Sequence, residues 1–184
     1  MSLVPENFRA DPAHSAVLLV DLQVDFLRDE GRLPVPQSFV PPLLECAEAV
    51  VTEARQAGVP VVHIVNAFPR WSVGNLFRKF AAIQGSPGAA IDDRVPRGDD
   101  EPVFTKARSD AFSNAQLESW IHQHAIERLL VLGVYADACV RRTAEGALRR
   151  GIAVTVPRVG VASRSTAAVD RGLRAIRRAG GTTP

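Results

Sequence analysis

The chain alternates short, uninterrupted apolar runs with longer segments in which apolar residues recur every three or four positions. Residues 16–20 (AVLLV), most of 59–65 (VPVVHIV) and 129–132 (LLVL) are runs of the first kind. Without polar alternation they predict strands buried on both faces, the pattern of a parallel sheet. Residues 102–105 and 152–156 predict two further strands. Leu43, Leu44, Ala47, Val50, Val51 and Ala54 fall at helical spacing and predict a helix over 39–57 that Gly58 stops. The same spacing predicts helices over 114–124, from about Cys139 to Leu148, and over 165–178. A short helix is predicted near 74–82, inside an otherwise irregular stretch at 66–101. Residues 1–15 read as an irregular lead-in. Strands alternating with helices predict one α/β domain over 1–184, a three-layer α/β/α Rossmann-like fold with a mainly parallel sheet of five to six strands.

Composition narrows the function classes. A chain of 184 residues with 46% apolar and 23% charged residues is an ordinary globular domain. Its formal net charge of +2 is too small and too dispersed to predict a nucleic-acid partner. Clusters at Arg141/Arg142, Arg149/Arg150 and Arg174/Arg177/Arg178 fall on predicted helices and read as solvated faces or subunit contacts. No apolar run approaches the ~18 residues of a membrane span, and the N-terminus has no signal-type apolar core. Two cysteines, Cys46 and Cys139, give no disulfide framework, so a cytoplasmic, reducing setting is expected. Only Lys79 and Lys106 are lysines among 22 Lys and Arg, which singles them out for proton chemistry that arginine does not perform.

Candidate chemistry gathers around residues 129–151, LLVLGVYADACVRRTAEGALRRG. A strand breaks at Gly133, and Cys139 begins the helix pattern that follows. A thiol in a first helical turn lies in the positive end of the helix dipole, and this predicts a bias toward thiolate. Asp21 and Lys106 likewise stand just past the ends of predicted strands. In an open parallel sheet, ligands bind beyond the carboxyl ends of the strands, so three chemically capable side chains are predicted to converge there. A carboxylate beside a thiol serves as its base, and a lysine beside both holds the charge. Backbone N–H groups of Tyr135 and Cys139 are placed to hold an oxyanion. Among the long stretch, Phe68, Trp71, Phe77 and Phe80 are candidate pocket walls, and Arg70, Arg78 and Arg108 candidate carboxylate binders. There is no Walker A, G-x-G-x-x-G or G-x-S-x-G pattern. Asp21 and Asp25, four residues apart past a strand, are a weak case for paired-carboxylate chemistry.

The segments AVLLVDLQVDF (16–26), GSPGAAI (85–91), TKARSDAF (105–112) and 129–151, in this order, resemble the isochorismatase-like cysteine hydrolases. That family includes nicotinamidases, N-carbamoylsarcosine amidohydrolases, biuret hydrolases and ureidoacrylate hydrolases. The resemblance spans about residues 16–178. It implies Asp21 as general acid/base, Lys106 as its charged partner and Cys139 as nucleophile. It also implies a cis peptide at Val134–Tyr135, an oxyanion hole from the Tyr135 and Cys139 amides, and Phe26, Trp71 and Phe112 as pocket residues. Nicotinamidases carry an Asp-x-His and a second His after strand two to hold a metal. Here HIVNAFPRW leaves His63 alone, so no metal and no other cofactor is expected, and nicotinamide is disfavoured. His122 and His124, at i and i+2 on a helix, do not face each other. GVYA at 133–136 leans toward true isochorismatases, whereas Cys139 leans toward amidases. The family's last strand has no counterpart in the terminal GGTTP, so either that edge strand lies outside the given residues or a partner subunit covers the edge.

The leading reading is a metal-independent hydrolase of C–N amide or ureide-type bonds in a small molecule, acting through a Cys139 thioester. The alternatives are isochorismatase-type vinyl-ether hydrolysis by Asp21 without covalent catalysis, and a non-catalytic binding module. A homo-oligomer, dimer or tetramer, is the expected assembly.

Overall fold

The computed structural model describes residues 3–184. Its centre is a parallel sheet of β1 (Ser15–Val20), β2 (Val61–Asn66), β3 (Val103–Lys106), β4 (Arg128–Val134), β5 (Ala153–Thr155) and β6 (Val161–Ala162). The order is β3-β2-β1-β4-β5, with β6 pairing the last residues of β4 beyond the point where β5 ends. The predicted α/β class and mainly parallel sheet are therefore observed.

The pleat sends alternate side chains into two cores. Val17, Leu19, Leu130 and Leu132 face one layer, where α3 (Val40–Ala57) contributes Leu43, Ala47, Val50 and Val51. Ala16, Leu18, Leu129 and Val131 face the other, against α4 (Ala115–Gln123), α5 (Arg141–Leu148) and α6 (Thr166–Arg178). Burial on both faces is why these strands read as solid apolar runs. Helix α3 ends as expected, with Gly58 left-handed at φ 72°. No helix among the described residues is long and apolar enough to cross a membrane.

Three sequence expectations fail locally. Residues 1–15 are not wholly irregular: α1 (Glu6–Ala10) buries Phe8, and Pro12–His14 form a 3-10 turn. The helix near 74–82 is absent. Val73–Asn75 form one 3-10 turn, and Lys79, Phe80 and Ala82 have positive φ. A tertiary contact explains it, because the Ala82 N–H donates to Asp25 Oδ2 at 2.7 Å rather than to a helical carbonyl. Finally, the terminal GGTTP does cover a sheet edge. Thr182 donates its N–H to the Val154 carbonyl and accepts from the Val156 N–H, at 2.9 and 2.8 Å.

The arginine clusters on α5 make surface ion pairs within the chain: Arg141 and Arg142 with Glu145, Arg149 with Asp110, Arg150 with Glu118.

Candidate active site

Chain order reverses its direction of growth across the sheet beside β1, between β2 and β4. Open α/β sheets bind ligands at such switch points. Four side chains meet there, each delivered by a different strand end. Asp21 follows β1, with φ 57°; Asn66 ends β2; Lys106 ends β3. Cys139 sits in a single π-helical turn, Ala136–Val140, that links β4 to α5.

Lys106 organises them. Its Nζ donates to Asp21 Oδ2 at 2.8 Å and to Asn66 Oδ1 at 2.9 Å. Asn66 Nδ2 in turn lies 3.8 Å from Cys139 Sγ, as donor to sulfur. Asp21 is 0% exposed, and its Oδ1 has no donor within hydrogen-bond geometry, although the Cys139 thiol is near enough to couple to the carboxylate. Sequence analysis missed Asn66. Its only signal was a polar residue closing an apolar run, which also looks like the start of a loop.

Electrostatics overturn one expectation. The Cys139 thiol is pushed up to about 12, first by burial and then by the neighbouring Asp21 charge; Lys106 only partly opposes this. The resting sulfur is thus a thiol, not the thiolate that its place at a helix start suggested. Burial also raises Asp21 and outweighs Lys106, so its carboxylate holds a proton more firmly than one in solvent. Burial lowers Lys106, but the neighbouring Asp21 carboxylate outweighs it and the net shift is upward.

The site is braced from behind. Gln23, fully buried, donates to the Asn66 and Ala89 carbonyls and accepts from the Asn66 N–H at 2.7 Å, locking the end of β2. Asp25 is a bracket rather than a second acid at the site: its carboxylate takes the N–H groups of Ala82 and Arg32. The π-turn is held by Asp137, which accepts from Ser163 Oγ and Arg171. Two glycines allow close approach. A Cβ on Gly133 (φ 134°) would fall 1.9 Å from the Val20 carbonyl oxygen, and one on Gly172 would fall 2.2 Å from that of Ala136. The Val134–Tyr135 peptide is cis, at the position that the resemblance implied.

Cys139 opens into a cavity of about 390 Å³ lined also by Phe26, Phe68, Tyr135, Arg78 and Arg108. Phe26 and Tyr135 meet edge to face, 5.8 Å between centroids, and Tyr135 donates its hydroxyl to the Leu33 carbonyl. Two of the expected pocket residues are elsewhere. Trp71 is 93% exposed and does not line the cavity. Phe112 is buried under the Arg150 guanidinium and lines a separate hollow with Glu118 and Ile121. Phe77, at 87% exposed, and Phe80 also stand outside the cavity, and Arg70 does not line it. His63 is buried, with Nε2 2.8 Å from Glu101 Oε2. His124 stacks on Trp120 at the surface. Among the described residues, no group of three or more His, Cys, Asp or Glu side chains is arranged to hold a metal.

Residues 15–183 match the isochorismatase domain, essentially the whole chain. The protein belongs to the isochorismatase family. It is similar to the N-carbamoylsarcosine amidase of an Arthrobacter species, 29% identical over 150 residues, covering 76% of this chain and 55% of that one. It is also similar to the streptothricin hydrolase of Streptomyces noursei, 31% identical over 142 residues, covering 77% of this chain and 52% of that one. The isochorismatase-family chain thus spans about half the length of these relatives. In three dimensions it resembles the N-carbamoylsarcosine amidase of Thermoplasma acidophilum, with a TM-score of 0.77 and 25% identity. That match covers 92% of this chain and 94% of the other.

Proposed function

We propose that this isochorismatase-family chain is a hydrolase of C–N amide or ureide-type bonds in a small molecule, with Cys139 as nucleophile. The observation that carries the reading is the Lys106 bridge, which holds Asp21 and Asn66 together beside a sulfur that lines the cavity. Relatives named as an amidase and a hydrolase support the bond class.

The chemistry follows from the proton inventory. A thiol held up to about 12 needs a base during attack, and Asp21 has raised proton affinity and an oxygen without a donor. As Sγ bonds to the carbonyl carbon, the thiol proton passes to Asp21. The Tyr135 and Cys139 amides serve the oxyanion. Collapse breaks the C–N bond, and Asp21 returns its proton to the leaving nitrogen, releasing ammonia or an amine and leaving a Cys139 thioester. Water then attacks that thioester with Asp21 again as base, and the acid product leaves with the thiol restored. Lys106 stays charged throughout, which keeps the oscillating charge on Asp21 paired. Asn66 orients both Lys106 and the sulfur.

One observation favours a second reading. A carboxyl with raised proton affinity is also a general acid, and in vinyl-ether hydrolysis Asp21 would protonate carbon with Cys139 dispensable. Cys139→Ala separates the two. Under the thioester reading, ammonia release from a panel of small amides and ureides falls to background in the variant, and mass spectrometry finds a Cys139 adduct in the unsubstituted protein. Retained turnover by the variant refutes covalent catalysis.

A further inference from the structure

The cavity that holds Cys139 carries an unbalanced positive charge. Asp21 and Lys106 neutralise each other behind the sulfur at 2.8 Å. The lining residues include two arginines, Arg78 and Arg108, and no acidic residue. Neither arginine has an acidic partner within ion-pair distance among the described residues, although arginines elsewhere, such as Arg28, Arg94 and Arg128, do. Asp25, behind the same loop, does not line the cavity, and its oxygens are taken by backbone N–H groups.

Arg78 is also fixed in place, unlike a surface arginine. Its guanidinium lies over the Phe68 ring, 3.9 Å from the centroid, and Phe68 is itself a cavity wall. Nη2 donates to Asn75 Oδ1 at 3.0 Å and to Ser72 Oγ at 3.4 Å. Asn75 is in turn clamped by the Pro69 and Arg70 carbonyls. Gly74 leaves the room required, since a Cβ there would lie 2.9 Å from Nη1. Yet the donors are underused. Nε is enclosed without an acceptor, and no acceptor bonds Nη1. Stacking and clamping hold the guanidinium at the cavity wall with Nη1 free to donate, which describes a group preorganised to bind an anion.

We propose that Arg78, assisted by Arg108, is the specificity-determining group for a carboxylate on the substrate, so that the molecule cleaved is an anionic amide or ureide. Planar, bidentate recognition suits a guanidinium to a carboxylate better than to a neutral amide. The inference rests on the hydrolase reading for the words "substrate" and "cleaved", but the anion site itself is tested without turnover.

The test uses Cys139→Ala protein titrated by calorimetry with succinate, acetate and benzoate, and with the neutral succinamide, acetamide and benzamide. At least one carboxylate is expected to bind about tenfold or more tighter than its amide. Adding Arg78→Met is expected to abolish that difference while leaving amide binding within about twofold, and Arg78→Lys to restore part of it as a bare point charge. Absence of any carboxylate preference, or a preference that survives Arg78→Met, overturns the proposal. In protein with Cys139 intact, ammonia release from succinamate against succinamide reads the same effect in KM. Failure of the hydrolase reading shows instead as turnover that persists in Cys139→Ala, so the two outcomes are distinguishable.

Discussion

Replacing Lys106 with Met removes the cation while keeping a side chain of similar length, and strands Asp21 in the sheet's interior. Asp21 is 0% exposed, and among the described residues Lys106 is the only cation bonded to it. An ionised carboxylate without that partner is costly enough for the folded protein to take up a proton instead. The cost of that proton sets the magnitude. With an ordinary carboxyl value of 3.8, protonation at pH 7 costs about 4 kcal/mol, at about 1.4 kcal/mol per pH unit. The sign follows from linkage. The folded variant holds a proton that the unfolded chain releases near 3.8, so stability falls as pH rises above 3.8, up to the raised folded value. Measured against Asp21→Asn/Lys106→Met, urea unfolding followed by circular dichroism is expected to show a loss of about 3–4 kcal/mol at pH 7, shrinking to about 2 kcal/mol at pH 5. In Asp21→Asn/Lys106→Met no charge is left to strand, and that pH dependence is expected to vanish. A loss under about 1 kcal/mol at pH 7, or one equal at pH 5 and pH 7, would refute the view of Asp21 as a buried charge that depends on Lys106.

Asn66→Ala takes one acceptor from Lys106 and the donor from Cys139 while leaving the backbone bonds to Gln23. Steady-state kinetics are expected to show kcat lower by about 10- to 100-fold with KM nearly unchanged, whereas a pure KM effect would place Asn66 in substrate binding. Gly133→Ala drives a Cβ into the Val20 carbonyl at positive φ, and chemical denaturation is expected to show a loss above about 3 kcal/mol; a loss under 1 kcal/mol would mean that β1 and β4 separate easily. Cys139, raised from 9.0 to about 12, stays protonated in the fold after the unfolded thiol has ionised. Its contribution is complete below pH 9 and is lost by about 1.4 kcal/mol per unit toward pH 12. Unfolding titrations at pH 8.5–10.5 should therefore show a shallower alkaline decline in Cys139→Ala, and parallel curves would contradict the burial of the thiol.

The sheet was legible because burial on both faces writes itself as unbroken apolar runs, and β1, β2 and β4 each carry one. Asp21, Lys106 and Cys139 were legible because strand ends are where such sheets gather polar groups. Other features depend on partners far away in sequence. Asn66 matters through Lys106, forty residues on. The segment at 74–82 has helical spacing in Leu76, Phe77 and Phe80, but Asp25, far upstream, takes the Ala82 N–H, and the aromatics turn outward. The thiolate expectation rested on the local field of a helix start, which sequence shows, and left out the depth of burial, which it does not. GGTTP looked like an unfinished edge because five residues carry no strand pattern, yet two backbone bonds from Thr182 suffice to dress β5.

The four strand-end side chains have a consequence for assembly. Asp21 and Cys139 are separated by most of the chain, and each of the four residues enters only when its own strand has docked. No arrangement that lacks β1, β2, β3 or β4 brings sulfur, carboxylate, ammonium and amide together. During folding these contacts have high sequence separation and are costly to close, so they belong to the late steps. Chemistry at this site should consequently switch on all at once, when the last of these four strands is in register. A nascent chain still emerging from the ribosome would carry a quiet cysteine until synthesis has passed β4.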